Sequence, residues 1–540
     1  MATSPQRAYR AACPNCGALV DFVSAASASA VCGFCRSTLV RDGDALRRIG
    51  VSAELFDDHS PLQLGASGRS QGLAFTLVGR LQYGYDGGTW NEWHALFDSG
   101  EGQHRAAWLS EDNGAYVLAF DLPLPADAPR DEAGLSALRA GQRTVLDGRA
   151  WDVASVLRAR LIAAQGELPG APRLQGEFWV VDLRNSLGEV ATLDSLQKAA
   201  LGCSVGRSVT LAELAMSGLK DTGSSEKTLS GRSLACPNCA APLEVKLATT
   251  QSLSCRQCLS VVDISAGVGA ELQSYQQNNA GAAGAEPLLP LGRSGRLALG
   301  GPETPWQVVG YQERCDIPTD SEDETSFWRE YLLFNTLSGF VFLVDTSDGW
   351  SWVKPLTGAP EVRGDTANWQ GKSFRKRWSY TAKVSWVLGE FFWRVRRDER
   401  ALVTDFEGSG GAAAARLSRE QTGNEVIWSL GETIDASTVA DAFGIGAEQR
   451  LALQRDAKPL SATFGGGKLR RALIFLVVAL VLLALLLQCT GRDSCNEVRN
   501  TFGADSTEFR QCQQRAGSGA GAYRTGGGSY GGYSSGGGHK

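Results

Sequence analysis

Two cysteine arrangements of identical spacing constrain the fold of this chain more than any other feature. Each has the form C-x2-C-x15-C-x2-C, first in residues 13–35 and again in residues 236–258. Two residues between paired cysteines let both thiolates reach one ion, and two such pairs complete a tetrahedral site. The predicted ligands are Cys13, Cys16, Cys32 and Cys35 in the first copy, and Cys236, Cys239, Cys255 and Cys258 in the second.

Four thiolates leave no open coordination position, so both sites are predicted to be structural zinc ribbons with one ion each. Iron adopts the same four-sulfur geometry and is the alternative ion, although nothing in the sequence indicates an electron-transfer partner. Disulfide bonding of these eight cysteines is the remaining alternative. A cytosolic location would keep the thiols reduced and able to bind metal.

Each cysteine arrangement precedes one copy of a long internal repeat. The segment FTLVGRLQY (75–83) returns as WQVVGYQER (306–314), WNEWHALF (90–97) as WREYLLF (328–334), and ARLIAAQGEL (159–168) as AKVSWVLGEF (382–391). Frequent glycines and alternating segments predict β-rich domains, either sandwiches or strongly bent barrels. In TAKVSWVL (381–388) the alternation places Val384, Trp386 and Leu388 on one face. Helices are expected only at the ends of the copies, in TLAELAMSG (210–218) and after Asp435 as an N-cap.

A single transmembrane helix is predicted near the C-terminus. Residues 472–490 carry no charged side chain and would form about 28 Å of helix, close to the thickness of a bilayer core. Five basic residues precede this segment and three follow it, which favours a cytoplasmic N-terminal side. No signal peptide is recognisable at the N-terminus. The expected location is therefore the inner membrane, with a single pass and an extracytoplasmic C-terminal tail.

The chain is thus predicted to be mainly β and multidomain, with two four-cysteine zinc ribbons that each precede a β-rich domain. The predicted segments are ribbon 1 (1–50), β domain 1 (51–220), ribbon 2 (228–270), a linker (271–287), β domain 2 (288–450), a basic juxtamembrane linker (451–471), the transmembrane helix (472–490), an extracytoplasmic cysteine-containing segment (491–516) and a disordered Gly/Ser/Tyr tail (517–540). Cys495 and Cys512 would lie in an oxidising compartment, where they could form a disulfide.

The repeated motifs resemble the bacterial domain-of-unknown-function family 4178. The resemblance covers residues 60–215 and 288–445, and rests on the G-x-S-G-R entry, the V-G strand, W-x-E-[W/Y] and the later G-E-[L/F]. It implies tandem domains, each preceded by a ribbon, in a family of which some members carry a membrane span. It also implies a genomic association with envelope and polyamine-related operons, but no established activity.

The repeated carboxylates are the candidates for a ligand or partner surface. Glu92 and Glu330 lie in the W-x-E motif, and Glu167 and Glu390 follow the repeated glycine. The aromatic residues of this predicted surface are Trp90, Trp93, Trp328 and Tyr331. No nucleophile accompanies the carboxylates, and the histidines of the first copy have no counterparts in the second. We therefore expect no catalytic residues and no enzymatic activity.

The expected function is that of a membrane-anchored, non-enzymatic adaptor that presents two zinc-stabilised modules to a protein partner. The alternative is a binding module for a cationic amine, with or without weak catalysis, because aromatic walls beside a carboxylate suit such a ligand. Nucleic-acid binding through the ribbons is a second alternative. It is disfavoured by the acidic balance of 53 Lys and Arg against 58 Asp and Glu, so no nucleic-acid partner is expected.

Overall fold

The computed structural model describes residues 9–454 with internal gaps. The gaps are residues 23–28, 43–44, 52–59, 87, 99–104, 113, 198–199, 221–233, 246–249, 265–272, 276–286, 319–324, 396–398 and 410–413. The predicted juxtamembrane linker beyond residue 454, the transmembrane helix, Cys495, Cys512 and the tail lie outside the described residues. Within the described ranges, no helix is long and apolar enough to cross a membrane.

The N-terminal half consists of ribbon 1 (residues 9–51) and barrel 1 (residues 60–220). The strands of ribbon 1 are β1 (Tyr9–Ala12), β2 (Leu19–Phe22), β3 (Ser29–Val31), β4 (Ser37–Asp42) and β5 (Ala45–Val51). The elements of barrel 1 are β6 (Ser67–Ser70), β7 (Leu73–Gly84), β8 (Thr89–Phe97), β9 (Arg105–Asp112), β10 (Ala115–Asp121), α1 (Glu132–Ala137), β11 (Arg143–Leu146), β12 (Arg149–Leu168), β13 (Phe178–Arg184), β14 (Glu189–Asp194) and β15 (Gly202–Val209).

The second half repeats this organisation as ribbon 2 (residues 234–275) and barrel 2 (residues 287–454). The strands of ribbon 2 are β16 (Leu234–Ala235), β17 (Pro242–Leu243), β18 (Ser252–Ser254), β19 (Val261–Asp263) and β20 (Gln273–Tyr275). The elements of barrel 2 are β21 (Ser294–Leu297), β22 (Thr304–Ile317), β23 (Phe327–Asn335), β24 (Gly339–Thr346), β25 (Gly349–Leu356), β26 (Glu361–Arg363), β27 (Thr366–Trp369), β28 (Lys372–Phe391), β29 (Arg400–Gly408), β30 (Ala415–Thr422), β31 (Glu425–Ile434), α2 (Ala436–Ala442) and α3 (Ala447–Leu453).

Both halves close into antiparallel barrels with the same strand order. Among the described strands of barrel 1, the order is β7-β8-β9-β10-β15-β14-β13-β12, and β12 pairs back with β7. In barrel 2 the order is β22-β23-β24-β25-β31-β30-β29-β28, and β28 pairs back with β22. The structure therefore confirms two β-rich domains and selects the barrel over the sandwich. An eight-stranded barrel has an interior that side chains can fill or that can hold one small ligand.

Two sequence predictions about the ends of the copies differ from the structure. The segment predicted as a helix at 210–218 forms turns instead, with Ala215 in the left-handed region at a φ of 45°. The predicted linker 271–287 contains β20, which pairs with β19 and so extends ribbon 2. Asp435 does occupy the N-cap position of α2, as predicted.

A β-bulge changes the predicted face of one strand. In β28, Val384 packs with the cluster around Trp328, whereas Trp386 and Leu388 pack with the cluster around Tyr331. The pairing register between β22 and β28 shifts at Ser385, whose hydroxyl donates a hydrogen bond to the carbonyl of Glu313 at 3.1 Å. An extra residue reverses the alternation beyond it. The prediction that these three apolar residues share one face was therefore wrong.

The closing strands cross at a pair of glycines in each barrel. Gly79 of β7 pairs with Gly166 of β12, and Gly310 of β22 pairs with Gly389 of β28. A Cβ added to Gly79 would lie 1.9 Å from the carbonyl oxygen of Glu167. These glycines are those of the repeated V-G and G-E motifs, so both motifs serve to bring two strands unusually close together.

Replacing Gly79 with alanine is expected to destabilise the fold by about 3 kcal/mol, because the new methyl group would overlap backbone that cannot move aside. The matched control is Gly170→Ala, where an added Cβ meets no atom within 4 Å. Urea unfolding of the two variants measures the difference. Equal unfolding midpoints for both variants would show that the crossing tolerates a side chain.

Candidate metal centres and barrel interiors

The eight predicted ligands form two clusters with the dimensions of tetrahedral thiolate sites. Within each cluster the four sulfur atoms lie within 4.8 Å of one another. In ribbon 1 the sulfurs of Cys13 and Cys35 are 3.6 Å apart, and in ribbon 2 those of Cys236 and Cys258 are 3.7 Å apart. A tetrahedron with metal–sulfur bonds of about 2.3 Å has edges of about 3.8 Å. A disulfide bond of about 2 Å is excluded at these distances, so the donor sets fit a metal ion.

The backbone around each cysteine pair forms the turn that such a site requires. The residue after the second cysteine of each pair has a positive φ: 73° at Gly17, 57° at Arg36, 58° at Ala240 and 58° at Leu259. This conformation allows the amide of that residue to donate to the carbonyl of the first cysteine, as Gly17 does to Cys13 at 2.9 Å. The same turn therefore occurs at both cysteine pairs of both ribbons.

Hydrogen-bonding partners of the thiolates were missed by the sequence analysis. The Ser37 hydroxyl, 3.2 Å from the Cys35 sulfur, lowers the pKa of that thiol to about 5, with help from Asn15. Ser260 and Asn238 lower the pKa of Cys258 to about 5 in the same way. A lower pKa favours the thiolate form that binds metal. The signal was present in the sequence, because both copies contain C-P-N-C and a serine two residues after the last cysteine.

Each ribbon is attached to its barrel through the long closing strand. Strand β3 pairs with the C-terminal end of β12, and β18 pairs with that of β28. The Ser29 hydroxyl donates to the carbonyl of Gly170 at 2.7 Å, and Ser252 donates to that of Trp393 at 2.8 Å, with the same separation of 141 residues. Thr250 of ribbon 2 donates to the Glu390 carboxylate at 2.8 Å. Each ribbon is therefore an integral part of its barrel.

The residues predicted to form a ligand or partner surface are buried instead. Between 0% and 8% of each residue is exposed for Trp90, Glu92, Trp93, Glu167, Trp328, Glu330, Tyr331 and Glu390. Their aromatic rings pack in the hydrophobic cores, and glutamates such as Glu92, Glu330 and Glu390 accept hydrogen bonds from neighbouring side chains. These residues are therefore not exposed on the surface of either barrel, and they occupy equivalent positions in the two barrels.

The W-x-E motif forms the same contact in both barrels. The indole of Trp90 donates to the Glu92 carboxylate at 3.0 Å, and that of Trp328 donates to Glu330 at 2.8 Å. Spacing of two along a strand places both side chains on one face, which explains why the motif skips one residue. The aromatic residue after the glutamate points the other way: Tyr331 packs under α2, in a cluster with Phe443.

The interior of barrel 2 contains a buried ion-pair network centred on Arg314. Its guanidinium contacts the Glu420 carboxylate at 2.9 and 3.1 Å and Glu330 at 3.5 Å, and lies 5.7 Å from the centre of the Trp328 ring. Neither Arg314 nor Glu330 has any exposed surface. Burial raises the pKa of Glu330 to about 7, although Arg314 opposes this shift. The repeat alignment placed Arg314 at the position of Tyr83 in the first copy. It did not reveal that Arg314 contacts Glu330 and Glu420.

Barrel 1 has a small cavity beside Tyr83, the residue that corresponds to Arg314 of barrel 2. Its volume is about 50 Å³, and its lining includes Tyr83, Trp90, Glu92, Trp108 and Asp194. Glu92 accepts hydrogen bonds from the indole of Trp90 and from Ser110, the latter at 3.0 Å. Burial raises the pKa of Tyr83, with further contributions from the nearby charges of Glu92 and Asp194. The cavity thus combines aromatic walls with two carboxylates.

Comparison with known proteins identifies one family. The model of the family described as domain of unknown function (DUF4178) matches residues 63–211 and again residues 302–436. The two matched ranges lie within barrels 1 and 2 and together cover more than half of the chain, which confirms the predicted tandem arrangement. No curated protein and no solved structure matches the chain.

Proposed function

The chain belongs to the DUF4178 family through two tandem copies, and on this basis we propose that it is a non-enzymatic, membrane-anchored scaffold. Its two metal-stabilised barrels are presented to a protein partner at the inner membrane. The observation that carries the proposal is that the repeated glutamates are bound to other residues of the fold. Glu330 is bound to Arg314 and Trp328, and Glu390 accepts a hydrogen bond from Thr250 of the ribbon. Groups that could have been catalytic therefore hold the fold together.

Zinc is the proposed ion in both ribbons. Among the described residues, each donor set consists of four cysteine sulfurs within 4.8 Å of one another. Four thiolates complete a tetrahedral shell and leave no open coordination position. Such closed sites supply folding energy and not chemistry. Iron in the same geometry is distinguished by its colour, since four-sulfur ferric sites absorb visible light and zinc does not.

Membrane attachment is proposed from the sequence of residues 472–490. Their length and lack of charge suit a single span, and the flanking basic residues favour barrels on the cytoplasmic side. In this orientation Cys495 and Cys512 face an oxidising compartment and can form a disulfide, and the glycine-rich tail extends outward.

Ribbon 1 offers an exposed contact point for a partner. Phe34, between the last two cysteines of ribbon 1, is 82% exposed. The equivalent residue of ribbon 2 is Gln257, which is also exposed but polar. Large aromatic side chains, phenylalanine included, are enriched at the cores of protein interfaces.

A photo-crosslinking side chain at position 34 of the full-length chain is expected to capture one membrane-associated protein. The same probe at position 257 provides the matched control and is expected not to capture it. Phe34→Gln in a chain carrying an affinity tag should reduce recovery of that protein at least tenfold. Deletion of residues 472–490 should release the chain from membranes. The proposal would be abandoned if positions 34 and 257 gave the same adducts, or if the deletion left membrane association unchanged.

A further inference from the structure

A cavity of about 330 Å³ lies where the two barrels meet. The barrels contact each other through backbone hydrogen bonds: the Val156 amide donates to the carbonyl of Asn424 at 3.1 Å, and the Ala359 amide donates to that of Asn185 at 3.0 Å. Residues of β12 in barrel 1 and of β31 in barrel 2 both line the cavity. Its volume is in the range that holds a small organic molecule, and such molecules often bind between domains.

Three polar residues of barrel 2 line this cavity, and their equivalents in barrel 1 are apolar. The pairs are Lys376 and Val153, Thr404 and Val181, and Arg419 and Leu193. Strand register gives this correspondence. Thr404 lies opposite Arg419, as Val181 lies opposite Leu193. Lys376 and Val153 each come directly before the β-bulge of the long closing strand.

In barrel 1 these three positions belong to the hydrophobic core. Val153, Val181 and Leu193 are at most 1% exposed, and they pack in one cluster with Leu135 of α1. In barrel 2 no helix lies between β25 and β28, a segment that the structure describes in full. The equivalent face therefore borders the cavity. Packing does not explain the charged residues there, because burying an unpaired charge costs free energy.

The cavity carries more positive than negative charge. Its described charged lining residues are four cations and two acids: Arg143, Arg184, Lys376, Arg419, Asp152 and Glu425. Asp152 forms an ion pair with Arg143 at 3.3 Å, and Glu425 interacts electrostatically with Arg184. Both acids thus have an arginine partner within the lining, which leaves Lys376 and Arg419 as the cationic excess.

Arg419 is the more deeply placed of these two cations. Its guanidinium donates a hydrogen bond to the neutral Gln421 side chain at 3.1 Å. Burial lowers the pKa of Arg419, and the nearby charge of Asp152 opposes this only in part. Lys376 is exposed, so the cavity opens to solvent beside it. Among the described residues, neither Lys376 nor Arg419 has a carboxylate within ion-pair distance.

We propose that this cavity binds a small organic anion, whose carboxylate or phosphate group is held by Lys376 and Arg419 together. Both side chains lie on one face of three adjacent strands, with the Thr404 hydroxyl between them as a further donor. A planar guanidinium and an ammonium group are the usual pair for such an anion. Phe406 and Trp428, with ring centres 5.8 Å apart, offer an apolar wall for the rest of the molecule.

The proposal is independent of the scaffold function, and its test uses the full-length chain. The anionic probes are 2-naphthoate and 2-naphthyl phosphate, and 2-naphthamide is a neutral probe of the same shape as the first. Isothermal titration calorimetry is expected to give a Kd below about 1 mM for at least one anion and no detectable binding of the amide. The stronger of the two anions identifies the class of anionic group.

Variants in the cavity decide whether binding occurs there. The double variant Lys376→Val, Arg419→Leu introduces the residues of barrel 1, so it should abolish binding without lowering the midpoint of urea unfolding. Lys376→Gln alone changes an exposed side chain and should weaken anion binding about fivefold. Arg375→Leu is the matched control, because it removes a positive charge from the opposite face of β28 and should leave binding unchanged.

Three results would overturn the proposal: no binding of either anion, equal binding of 2-naphthoate and 2-naphthamide, or binding that Lys376→Gln and Arg375→Leu affect equally. Crosslinking from position 34 should be unaffected by these variants. This separates failure of the anion site from failure of the scaffold function.

Discussion

Cys255→Ser is expected to reduce the metal content of the chain from two ions to one and to unfold ribbon 2. The core of this ribbon is small: it consists of Cys236, Leu243, Leu253, Cys255 and Val262. A unit of this size does not bury enough apolar surface to fold without a metal. Structural zinc sites of this kind contribute on the order of 10 kcal/mol of apparent binding energy, and that energy is coupled to folding.

Loss of the ribbon is expected to destabilise barrel 2 as well, by about 3 kcal/mol or more. Ser252 donates to the Trp393 carbonyl, and the Gly389 amide donates to Ser254 at 2.8 Å. Strand β18 also pairs with β28 beside Phe391, which is 1% exposed. Unfolding the ribbon removes these hydrogen bonds and exposes the aromatic residues beneath them. Urea unfolding and limited proteolysis within residues 234–275 measure the two effects.

Cys315→Ala is the matched control for this prediction. Cys315 is a buried thiol of barrel 2 that belongs to neither cluster, so its loss should leave two ions bound. Elemental analysis of both variants gives the ion count, and the absorption spectrum of the wild type separates zinc from iron. Two ions in Cys255→Ser, or a metal-free wild type with an unchanged unfolding curve, would contradict the structural role of the sites.

The sequence predicted those features that depend on a fixed local pattern. The spacing of the cysteines identified all eight residues that form the clusters, because a ligand set must recur at defined separations. The repeated W-x-E and G-E motifs identified equivalent positions in the two barrels. They also identified the duplicated domain, because an internal repeat preserves the residues that each copy needs for its fold.

Features that depend on strand register could not be predicted from the sequence. The bulge at Ser385 reverses the face of every residue beyond it, and nothing in the alternation of TAKVSWVL indicates an extra residue. Burial of Glu330 depends on Arg314 and Glu420, which lie on strands far apart in the sequence and meet only when the barrel closes. A glutamate between aromatic residues is equally compatible with a surface site and with a buried ion pair, and the sequence alone does not distinguish the two.

Arg314→Met is expected to destabilise barrel 2 by about 3–5 kcal/mol, the range typical of removing one partner from a buried ion pair. The variant removes the cation that both Glu330 and Glu420 contact, and Glu330 has no access to water. The part of this destabilisation that comes from lost packing should be small, because methionine is apolar and fills much of the volume of the arginine side chain. The triple variant Arg314→Met, Glu330→Gln, Glu420→Gln should recover at least half of the loss, because amides require no counter-ion. No recovery in the triple variant would assign the loss to packing instead of charge.

The effect of Arg314→Met should decrease as the pH is lowered from 8 to 6. Burial holds the pKa of Glu330 at about 7 in the folded wild type, against about 4.5 for an unperturbed glutamate. Between these two values the folded state binds more protons than the unfolded state, so the unfolding free energy falls as the pH rises through this window. Without Arg314, which lowers this pKa, proton uptake on folding extends to higher pH. A protonated Glu330 requires no cation, so the variant approaches the wild type in acid. A loss of stability that is equal at pH 6 and pH 8 would show that Glu330 is not the group left uncompensated.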